Sequence, residues 1–260
     1  MITQGTKAEP MWEEAPLLSP EQVQTLDPNR IPKHIAFIPD GNRRWAKKHL
    51  ALPEKGHRAG AETLMNTIKA GSQLGVEVMT FYIFSTENWL RPKREIEAQM
   101  WLLEKSLIEQ KQRMVENGVR FSTIGETSKF PSRIIELLEE VKEATKQGDK
   151  ITLVFALNYG GRDDIRRAVQ KIITDYDNKK FKKEEITEEL ISQYLDTANW
   201  ADPDLLIRTS GESRISNFLL WQISYAEIYL PKVYWPEFSP EHFVEAISEY
   251  QKRERRLGGS

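Results

Sequence analysis

The sequence contains no cysteine, which excludes disulfide bonds, thiolate zinc sites and a cysteine nucleophile. The lack of disulfides fits a reducing compartment, and we expect a cytoplasmic protein. The four histidines show no metal-binding spacing such as H-E-x-x-H. Any metal that the protein uses is therefore expected to be a hard cation held by oxygen atoms.

Positive charge is not in excess, because 37 Lys and Arg residues face 39 Asp and Glu residues and the net charge is -2. No nucleic-acid partner is therefore expected. Long apolar runs are also missing: the charge-free stretches 151–161 and 215–226 fall well short of the ~20 residues that span a bilayer. The N-terminus lacks the basic start and apolar run of a secretory signal. We expect a soluble protein that at most rests on a membrane surface.

Hydrophobic residues make up 39% of the 260 residues, which is enough to build a buried core. Residues 1–32 carry five prolines and little periodicity. This composition predicts a poorly ordered N-terminal extension that precedes a single domain at residues 33–260.

Apolar segments alternate with helical patterns from residue 33 onward. Strands are predicted at residues 34–38, 78–84, 119–124, 151–157 and 205–207. Helices are predicted at residues 56–75, 92–117, 131–147, 162–176 and 240–252. The strands are apolar throughout, as expected when both faces of a sheet are covered. The pattern predicts an α/β fold with one largely parallel central sheet flanked by helices.

Polar loops follow three of the predicted strands. The segments 39–45, 85–92 and 208–217 are rich in Arg, Ser, Thr, Asn and Gly. Arginine forks, hydroxyl groups and glycine backbone are what an oligophosphate needs, and ligands gather at the carboxyl ends of parallel strands. A single Arg-rich loop is usually a solvated surface. Three such loops at one edge of a sheet favour a binding site.

Three residues in or near these loops keep simpler interpretations. Asp40, which precedes a glycine, is a common turn residue. His57 starts a predicted helix and is equally suited to a cap or to the surface. Glu227 lies within the apolar stretch 219–230, where a carboxylate needs an arginine, a backbone cap or a metal as its partner.

Several well-known motifs are missing. There is no Walker A sequence, and no G-x-G-x-x-G follows a predicted strand, so a P-loop NTPase and a dinucleotide-binding enzyme are not expected. The D-D-x-x-D motif of trans-prenyltransferases is also absent, because Asp163 and Asp164 are followed by Ile-Arg-Arg. The metal that remains is Mg²⁺ beside a diphosphate.

The predicted helix 92–117 carries a broad apolar stripe. Its members are Ile96, Met100, Leu103, Leu107 and Met114, with Trp101 and Leu102 beside them. Such a stripe is ordinarily core packing. It would equally serve as one wall of an apolar channel beside a phosphate site, and periodicity does not separate the two interpretations.

Residues 34–46, HIAFIPDGNRRWA, closely resemble the first signature of the cis-prenyltransferase family. Other segments resemble the later motifs of that family in the same order, at residues 56–60, 84–92, 158–162, 204–209, 214–222, around 227 and at 253–259. The resemblance implies one α/β domain with an apolar tunnel beside the sheet, a homodimer, and Mg²⁺-dependent condensation of isopentenyl diphosphate onto an allylic primer, usually farnesyl diphosphate, with cis double bonds. The segments are most similar to bacterial members, and this resemblance implies undecaprenyl diphosphate, the lipid-carrier precursor of cell-wall synthesis, as the product, with a peripheral membrane contact for its release.

The resemblance also implies roles for individual residues. Asp40 and Asn88 would be catalytic, and Asp40 and Glu227 would hold Mg²⁺. The allylic diphosphate would be surrounded by Gly41, Asn42, Arg43, Arg44, Trp45 and His57. The reaction centre would be lined by Ser85, Thr86, Glu87, Trp89 and Arg91. Isopentenyl diphosphate would be held by Arg208, Arg214, Ile215 and Ser216. Because a neutral amide is a very poor base, we expect Asn88 to orient a proton acceptor.

Two positions depart from the family pattern. Arg43 stands where many bacterial relatives have glycine, and Pro53 stands where they have an arginine that contacts diphosphate. That contact is either missing in this chain or supplied by Lys48, Lys55 or Arg58. The sequence leaves two alternative functions open besides an enzyme: a catalytically silent subunit that activates a partner, and a passive carrier of lipid diphosphates.

Overall fold

Residue 12 and residues 16–253 are described by a computed structural model. Six parallel strands form one sheet: β1 (His34–Ile38), β2 (Val78–Ser85), β3 (Val119–Ile124), β4 (Ile151–Tyr159), β5 (Leu205–Arg208) and β6 (Glu227–Tyr229). The helices are α1 (Pro20–Gln24), α2 (Asn42–Lys48), α3 (Pro53–Gln73), α4 (Lys93–Glu116), α5 (Ser132–Thr145), α6 (Gly161–Asp177), α7 (Glu188–Tyr194) and α8 (Pro240–Lys252). The expected α/β domain with a parallel sheet is confirmed.

The strand order is β3-β4-β2-β1-β5-β6, and every neighbouring pair is parallel. The chain leaves β1 toward β2 on one side, whereas β5 lies on the other side of β1. The order therefore reverses between β1 and β5, and a crevice opens at the carboxyl ends of these two strands. Ligands of open parallel sheets bind at such a point.

Both faces of the sheet are covered. Phe37 and Phe81 stack with ring centroids 4.7 Å apart on one face, where they meet Trp235 and helices α3, α4, α5 and α8. On the other face, Ala36 packs in a smaller cluster with Phe218 and Leu219 from the segment after β5. Because successive side chains of a strand point to opposite faces, an apolar strand is the expected result of this double covering.

Glycines end the two long helices that flank the site. Gly75 follows α3 with φ +76° and Gly118 follows α4 with φ +65°, conformations that close a helix at little cost only for glycine. At the other end of the chain, Ser239 caps α8 in a capping box with His242, and Pro240 is its first residue. These boundaries agree with the sequence prediction to within three residues.

The N-terminal segment differs from the expected poorly ordered extension. Leu18 and Leu26 are buried in the main core, and Pro20–Gln24 form the short helix α1, which Ser19 caps. The side chain of Gln251 on α8 accepts a hydrogen bond from Asp27 N at 3.0 Å and donates one to Asp27 O at 2.9 Å. The segment is held because its few apolar side chains find a place in the core of the domain. Residues 1–11 and 13–15 lie outside the described part of the chain.

Candidate active site

Asp40 lies two residues beyond the end of β1, at the crevice where the strand order reverses. Its Oδ1 atom accepts a hydrogen bond from Arg44 Nη2, and its Oδ2 atom accepts one from Arg208 Nη2, both at 2.9 Å. Arg44 is on the first turn of α2, and Arg208 is the last residue of β5, opposite Ile38 in the strand register. The fold therefore places one carboxylate between two guanidinium groups.

Partial burial of Asp40 favours its neutral form, but the hydrogen bonds from Arg208 and Arg44 outweigh this effect and hold the pKa of the carboxyl below its usual value. The backbone around Asp40 is also fixed. Asp40 N donates to Thr209 Oγ1 at 2.9 Å, and Asp40 O accepts hydrogen bonds from Thr209 Oγ1 at 2.7 Å and from Ser210 Oγ at 2.9 Å. The carboxylate is thus ionised and rigidly placed before any ligand binds.

Arg208 is buried, with only 7% of its side chain exposed. Its Nη1 atom donates to Ser216 Oγ at 2.8 Å and to the backbone oxygen of Arg214, while Nη2 serves Asp40. Its Nε–H is buried without a partner. A buried guanidinium with a donor to spare is suited to an anion that enters the crevice.

Glu212 is a site residue that the sequence analysis missed. It accepts a hydrogen bond from Arg44 Nη1 at 2.8 Å and pairs with Arg214 Nη2 at 2.6 Å. Arg44 also lies over the ring of Tyr234, 5.7 Å from its centroid. The Gly-Glu-Ser sequence at 211–213 gives no signal of this role, because an acidic residue in a loop is ordinarily solvated.

Gly41 needs to be glycine. Its φ is +106°, and a Cβ atom there would overlap Ser210 Oγ and lie 2.9 Å from Tyr234 Cδ1. The next residue, Asn42, begins α2 and lines the cavity described below, with its Oδ1 atom buried and without a partner. A buried acceptor without a partner can be satisfied only by a group or a water that donates a hydrogen bond.

A second group of charged residues lies across the crevice. Arg91 Nη1 donates to Glu95 Oε1 at 2.9 Å, and Arg43 Nη1 approaches Glu95 Oε2 at 3.4 Å. His57, on the first turns of α3, lies nearby with a buried Nε2 atom that has no partner. Burial lowers the pKa of His57, and the positive charge of Arg91 lowers it further. His57 is therefore neutral near pH 7.

The turn of residues 86–90 follows β2 and brings Asn88 and Glu87 to the same crevice. Asn88 Nδ2 donates to Ser85 Oγ at 2.9 Å, and Asn88 Oδ1 accepts from Ser85 N at 3.2 Å. Glu87 Oε1 accepts from Asn217 Nδ2 at 3.0 Å. The side chain of Asn88 caps this turn, which agrees with an orienting function and gives it no basic character.

Eight predicted site residues besides Glu227 do not line the cavity. Gly41, Arg43, Arg44 and Arg214 are among them, although Arg44 contacts Asp40 and the backbone oxygen of Arg214 contacts Arg208. The other four have their side chains engaged elsewhere. Trp89 packs against Phe84 and Phe130 and donates from Nε1 to Asn158 Oδ1 at 2.8 Å, so it supports the turn from behind. Ile215 packs against the smaller core cluster. Thr86 lies against Gly160. Trp45 packs against His49, with ring centroids 4.3 Å apart, and lines an outer groove between the start of α3 and the first turns of α4 that Leu52, Lys55 and Trp101 also line.

Glu227 is not brought to Asp40 either, so the predicted metal pair does not form within one chain. Glu227 is the first residue of β6 and lies opposite Leu205, at the amino edge of the sheet, whereas Asp40 lies at the carboxyl edge. Its carboxylate pairs with Arg253 Nη1 at 2.6 Å. Of the three partners that the sequence allows for Glu227, an arginine is the one that the structure shows. The C-terminal motif beyond Arg253, at residues 254–259, lies outside the described residues.

A cavity of about 1020 Å³ starts at Asp40 and Arg208 and runs between α3, α4 and the sheet. Its lining is mostly apolar along its length but also includes Glu62, Lys105, Glu109 and Arg113. Its polar end includes Asn42, His57, Ser85, Glu87, Asn88, Arg91, Arg208 and Ser216. Met100, Leu103, Leu107 and Met114 of α4 line its length, and Leu153 and Phe155 of β4 lie opposite. The same α4 residues are nearly buried, so the stripe on this helix is both core and channel wall.

Asp40 would be the residue that holds a Mg²⁺ ion beside a diphosphate, because Mg²⁺ usually keeps several waters and takes one or two carboxylates with substrate phosphates. Within residue 12 and residues 16–253, no group of three or more acidic or histidine side chains forms a metal site. The lowered pKa of Asp40 and its carboxylate oxygens fit this mode of binding.

Among the residues that the structure describes, no helix is long and apolar enough to cross a membrane.

Comparisons with known proteins agree with this geometry. A family model described as "Putative undecaprenyl diphosphate synthase" matches residues 38–258. The chain is 48% identical to an isoprenyl transferase of Thermotoga maritima, covering 88% of this chain and 98% of the relative, and 45% identical to one of Bacillus cereus, covering 91% and 92%.

Two solved structures share the fold. One is a lavandulyl diphosphate synthase from Lavandula x intermedia in complex with dimethylallyl diphosphate, with 31% identity, a TM-score of 0.87 and coverage of 89% of this chain and 100% of the other. The second is "a probable undecaprenyl diphosphate synthase" from Campylobacter jejuni, with 35% identity, a TM-score of 0.74 and coverage of 88% and 99%. The chain therefore belongs to the undecaprenyl diphosphate synthase family, the cis-prenyltransferases that its ordered motifs resemble.

Proposed function

We propose that this prenyltransferase condenses isopentenyl diphosphate repeatedly onto an allylic diphosphate, with farnesyl diphosphate as the primer and undecaprenyl diphosphate as the product. The observation that carries the proposal is the ionised Asp40, held between Arg44 and Arg208 at the polar end of a cavity of about 1020 Å³. Conversion of farnesyl diphosphate and labelled isopentenyl diphosphate to extractable longer prenyl diphosphates, in the presence of Mg²⁺, tests it. Failure to incorporate label would contradict it.

The primer diphosphate is proposed to lie over the first turn of α2, near Asp40, Asn42 and Arg44. As the allylic carbon–oxygen bond breaks, negative charge grows on the departing diphosphate, and preorganised arginines favour that charge more as it develops. Mg²⁺ held by Asp40 would supply Lewis-acid stabilisation of the same charge. His57 is neutral near pH 7, so it places a ring nitrogen at the polar end of the cavity without adding a further positive charge there.

The diphosphate of isopentenyl diphosphate is proposed to bind at Arg208, Arg214 and Ser216. Arg208 has a spare Nε–H, and Arg214 is exposed with its guanidinium tethered by Glu212. The two substrates would then meet beside Asn88, whose amide is fixed by Ser85 and orients the group that accepts the proton. Asp40 contacts Arg44 on the side of the proposed primer diphosphate and Arg208 on the side of the proposed isopentenyl diphosphate, so one carboxylate would serve both positions.

The cavity is proposed to take the growing chain, so its free volume should set product length. Ser106 of α4 lines the cavity, whereas Gln112 of the same helix is exposed and lies outside it. We expect Ser106→Phe to shorten the products, because the ring occupies volume that the chain needs while the diphosphate positions stay unchanged. Gln112→Phe is the matched control, and product lengths are read by mass spectrometry. Identical lengths for both variants and the parent chain would mean that α4 is only core.

Arg58 is proposed to replace the arginine that the family has at the position of Pro53. Pro53 is the first residue of α3, where proline is well tolerated. Arg58 lines both the cavity and the outer groove, whereas Lys55 lines only the groove; among the described residues neither makes an ion pair. Arg58→Ala should raise the primer KM about five- to ten-fold, as for a lost charge-assisted hydrogen bond of about 1–1.4 kcal/mol. Lys55→Ala should change it less than two-fold, and equal effects of the two variants would refute this assignment.

A homodimer is proposed through the exposed side of β6. Tyr225, Ile228 and Leu230 are exposed at this sheet edge, with 70% of Tyr225 accessible. Apolar side chains beside an open edge strand are typical of an assembly surface. We expect Ile228→Glu to shift sedimentation toward monomer, whereas Ile186→Glu, an equally exposed isoleucine elsewhere, should leave it unchanged. An unaltered dimer in Ile228→Glu would place the interface elsewhere.

A further inference from the structure

Asn217 connects three loops at the polar end of the cavity. Its Nδ2 atom donates to Glu87 Oε1 at 3.0 Å, in the turn after β2. Its Oδ1 atom accepts from Arg162 N at 2.9 Å, and its backbone oxygen accepts from Gly161 N at 2.6 Å, both at the start of α6 after β4. Asn217 itself belongs to the segment after β5. One side chain therefore spans the ends of three strands.

The backbone at this connection is unusual. Ser216 and Asn217 have φ values of +48° and +63°, in the left-handed region that non-glycine residues seldom adopt. Asparagine tolerates this region better than most residues, but serine gains no such relief. Gly160 is also required, because a Cβ atom there would lie 2.6 Å from Asn217 Nδ2 and 2.8 Å from Thr86 Oγ1. Such conformations persist only where surrounding contacts over-determine them.

The neighbour of Asn217 reaches the centre of the site. Ser216 Oγ accepts from Arg208 Nη1 at 2.8 Å, and Arg208 Nη2 donates to Asp40. A continuous connection thus crosses the mouth of the cavity. Hydrogen bonds join Glu87 to Asn217, Ser216 to Arg208 and Arg208 to Asp40, and a peptide bond joins Ser216 to Asn217. The turn after β2 is thereby linked to Arg208, which is proposed to bind isopentenyl diphosphate.

We infer that Asn217 is a positioning residue that sets the arrangement of Ser216 and Arg208 toward isopentenyl diphosphate by holding the segment after β5 to Glu87. This inference rests on the proposed function, in which Arg208 and Ser216 bind that diphosphate. We expect its effect to be selective for isopentenyl diphosphate, because the residues proposed to hold the primer belong to α2 and α3, and Arg44 meets the carboxylate oxygen of Asp40 that Arg208 does not use.

Asn217→Asp is the informative substitution. The new carboxylate still accepts from Arg162 N, but it can no longer donate to Glu87, and two carboxylates then face each other. We expect the KM for isopentenyl diphosphate to rise about ten-fold, while the primer KM changes less than two-fold. In a Glu87→Gln background the same substitution should change the KM for isopentenyl diphosphate less than three-fold, because the glutamine amide can donate to the new carboxylate in place of the lost bond.

The experiment therefore compares Asn217→Asp in the parent chain with the same substitution in the Glu87→Gln variant. Asn178→Asp, at the exposed end of α6, is the control for an added negative charge. Melting temperatures are measured alongside, and they separate a folding defect from a binding defect. An Asn217→Asp variant with an unchanged KM, a loss equal for both substrates, or a loss equal in both backgrounds would overturn the inference. Absence of elongation by the parent chain would instead refute the proposed function.

Discussion

Asp40→Asn is expected to keep the fold, with a lower melting temperature because buried Arg208 loses its counter-charge. It is expected to lose at least about 10³ in kcat, which corresponds to roughly 4 kcal/mol of transition-state stabilisation. Asparagine keeps the shape of the side chain and serves equally well in a turn or helix cap. It lacks the negative charge that holds a divalent cation against the departing diphosphate. It also leaves the arginines at 44 and 208 without their shared counter-charge. Initial rates at saturating substrates, with and without extra Mg²⁺, measure the effect.

Asp163→Asn is the matched control for this substitution. Asp163 also follows a parallel strand and pairs with two arginines, Arg166 and Arg167, but it lies on α6 outside the cavity. Its turnover should stay within two-fold of the parent chain. Comparable turnover for the two variants would remove Asp40 from the mechanism and leave it as a turn residue.

Arg208→Lys should lower kcat/KM for isopentenyl diphosphate at least about 100-fold, or about 2.7 kcal/mol. The guanidinium meets Asp40 with one nitrogen and Ser216 and the backbone oxygen of Arg214 with the other, and it keeps its Nε–H free. Lysine keeps the positive charge but is a point donor without this planar fork. Since the charge is retained, Asp40 still has a buried cationic partner, and the fold should survive.

Arg166→Lys, on the exposed surface of α6, is the control for the same chemical change. It should leave both kinetic constants within two-fold. Steady-state rates with each substrate varied in turn, together with melting temperatures, separate binding from folding. A loss in Arg208→Lys below about three-fold would mean that charge alone, rather than the guanidinium geometry, serves the site.

The sequence predicted the first five strands because each is an apolar run that ends in a turn or a polar loop, as in residues 34–38. It did not predict β6, since three residues that begin with glutamate carry too little pattern. That omission also misplaced Glu227. A residue in an unrecognised strand cannot be assigned to an edge of the sheet, and here it lies at the edge opposite Asp40.

The polar end of the cavity was anticipated in part, because carboxyl ends of parallel strands meet at one edge. Asp40, Arg44 and Arg208 come together as that rule requires. Side-chain direction was not available from the sequence: Trp89 turns into the core, while Glu212 turns toward the arginines. These choices depend on packing between distant segments, which local pattern does not encode.

Cis elongation inside the cavity is tested most directly by the structure of the product. The protein is incubated with farnesyl diphosphate, labelled isopentenyl diphosphate and Mg²⁺, and product length and double-bond geometry are determined by mass spectrometry and NMR. We expect long polyprenyl diphosphates whose new double bonds are cis. Substrates recovered unchanged would indicate a silent subunit or a passive carrier, and a product limited to a single condensation or with trans double bonds would contradict the assignment of the cavity.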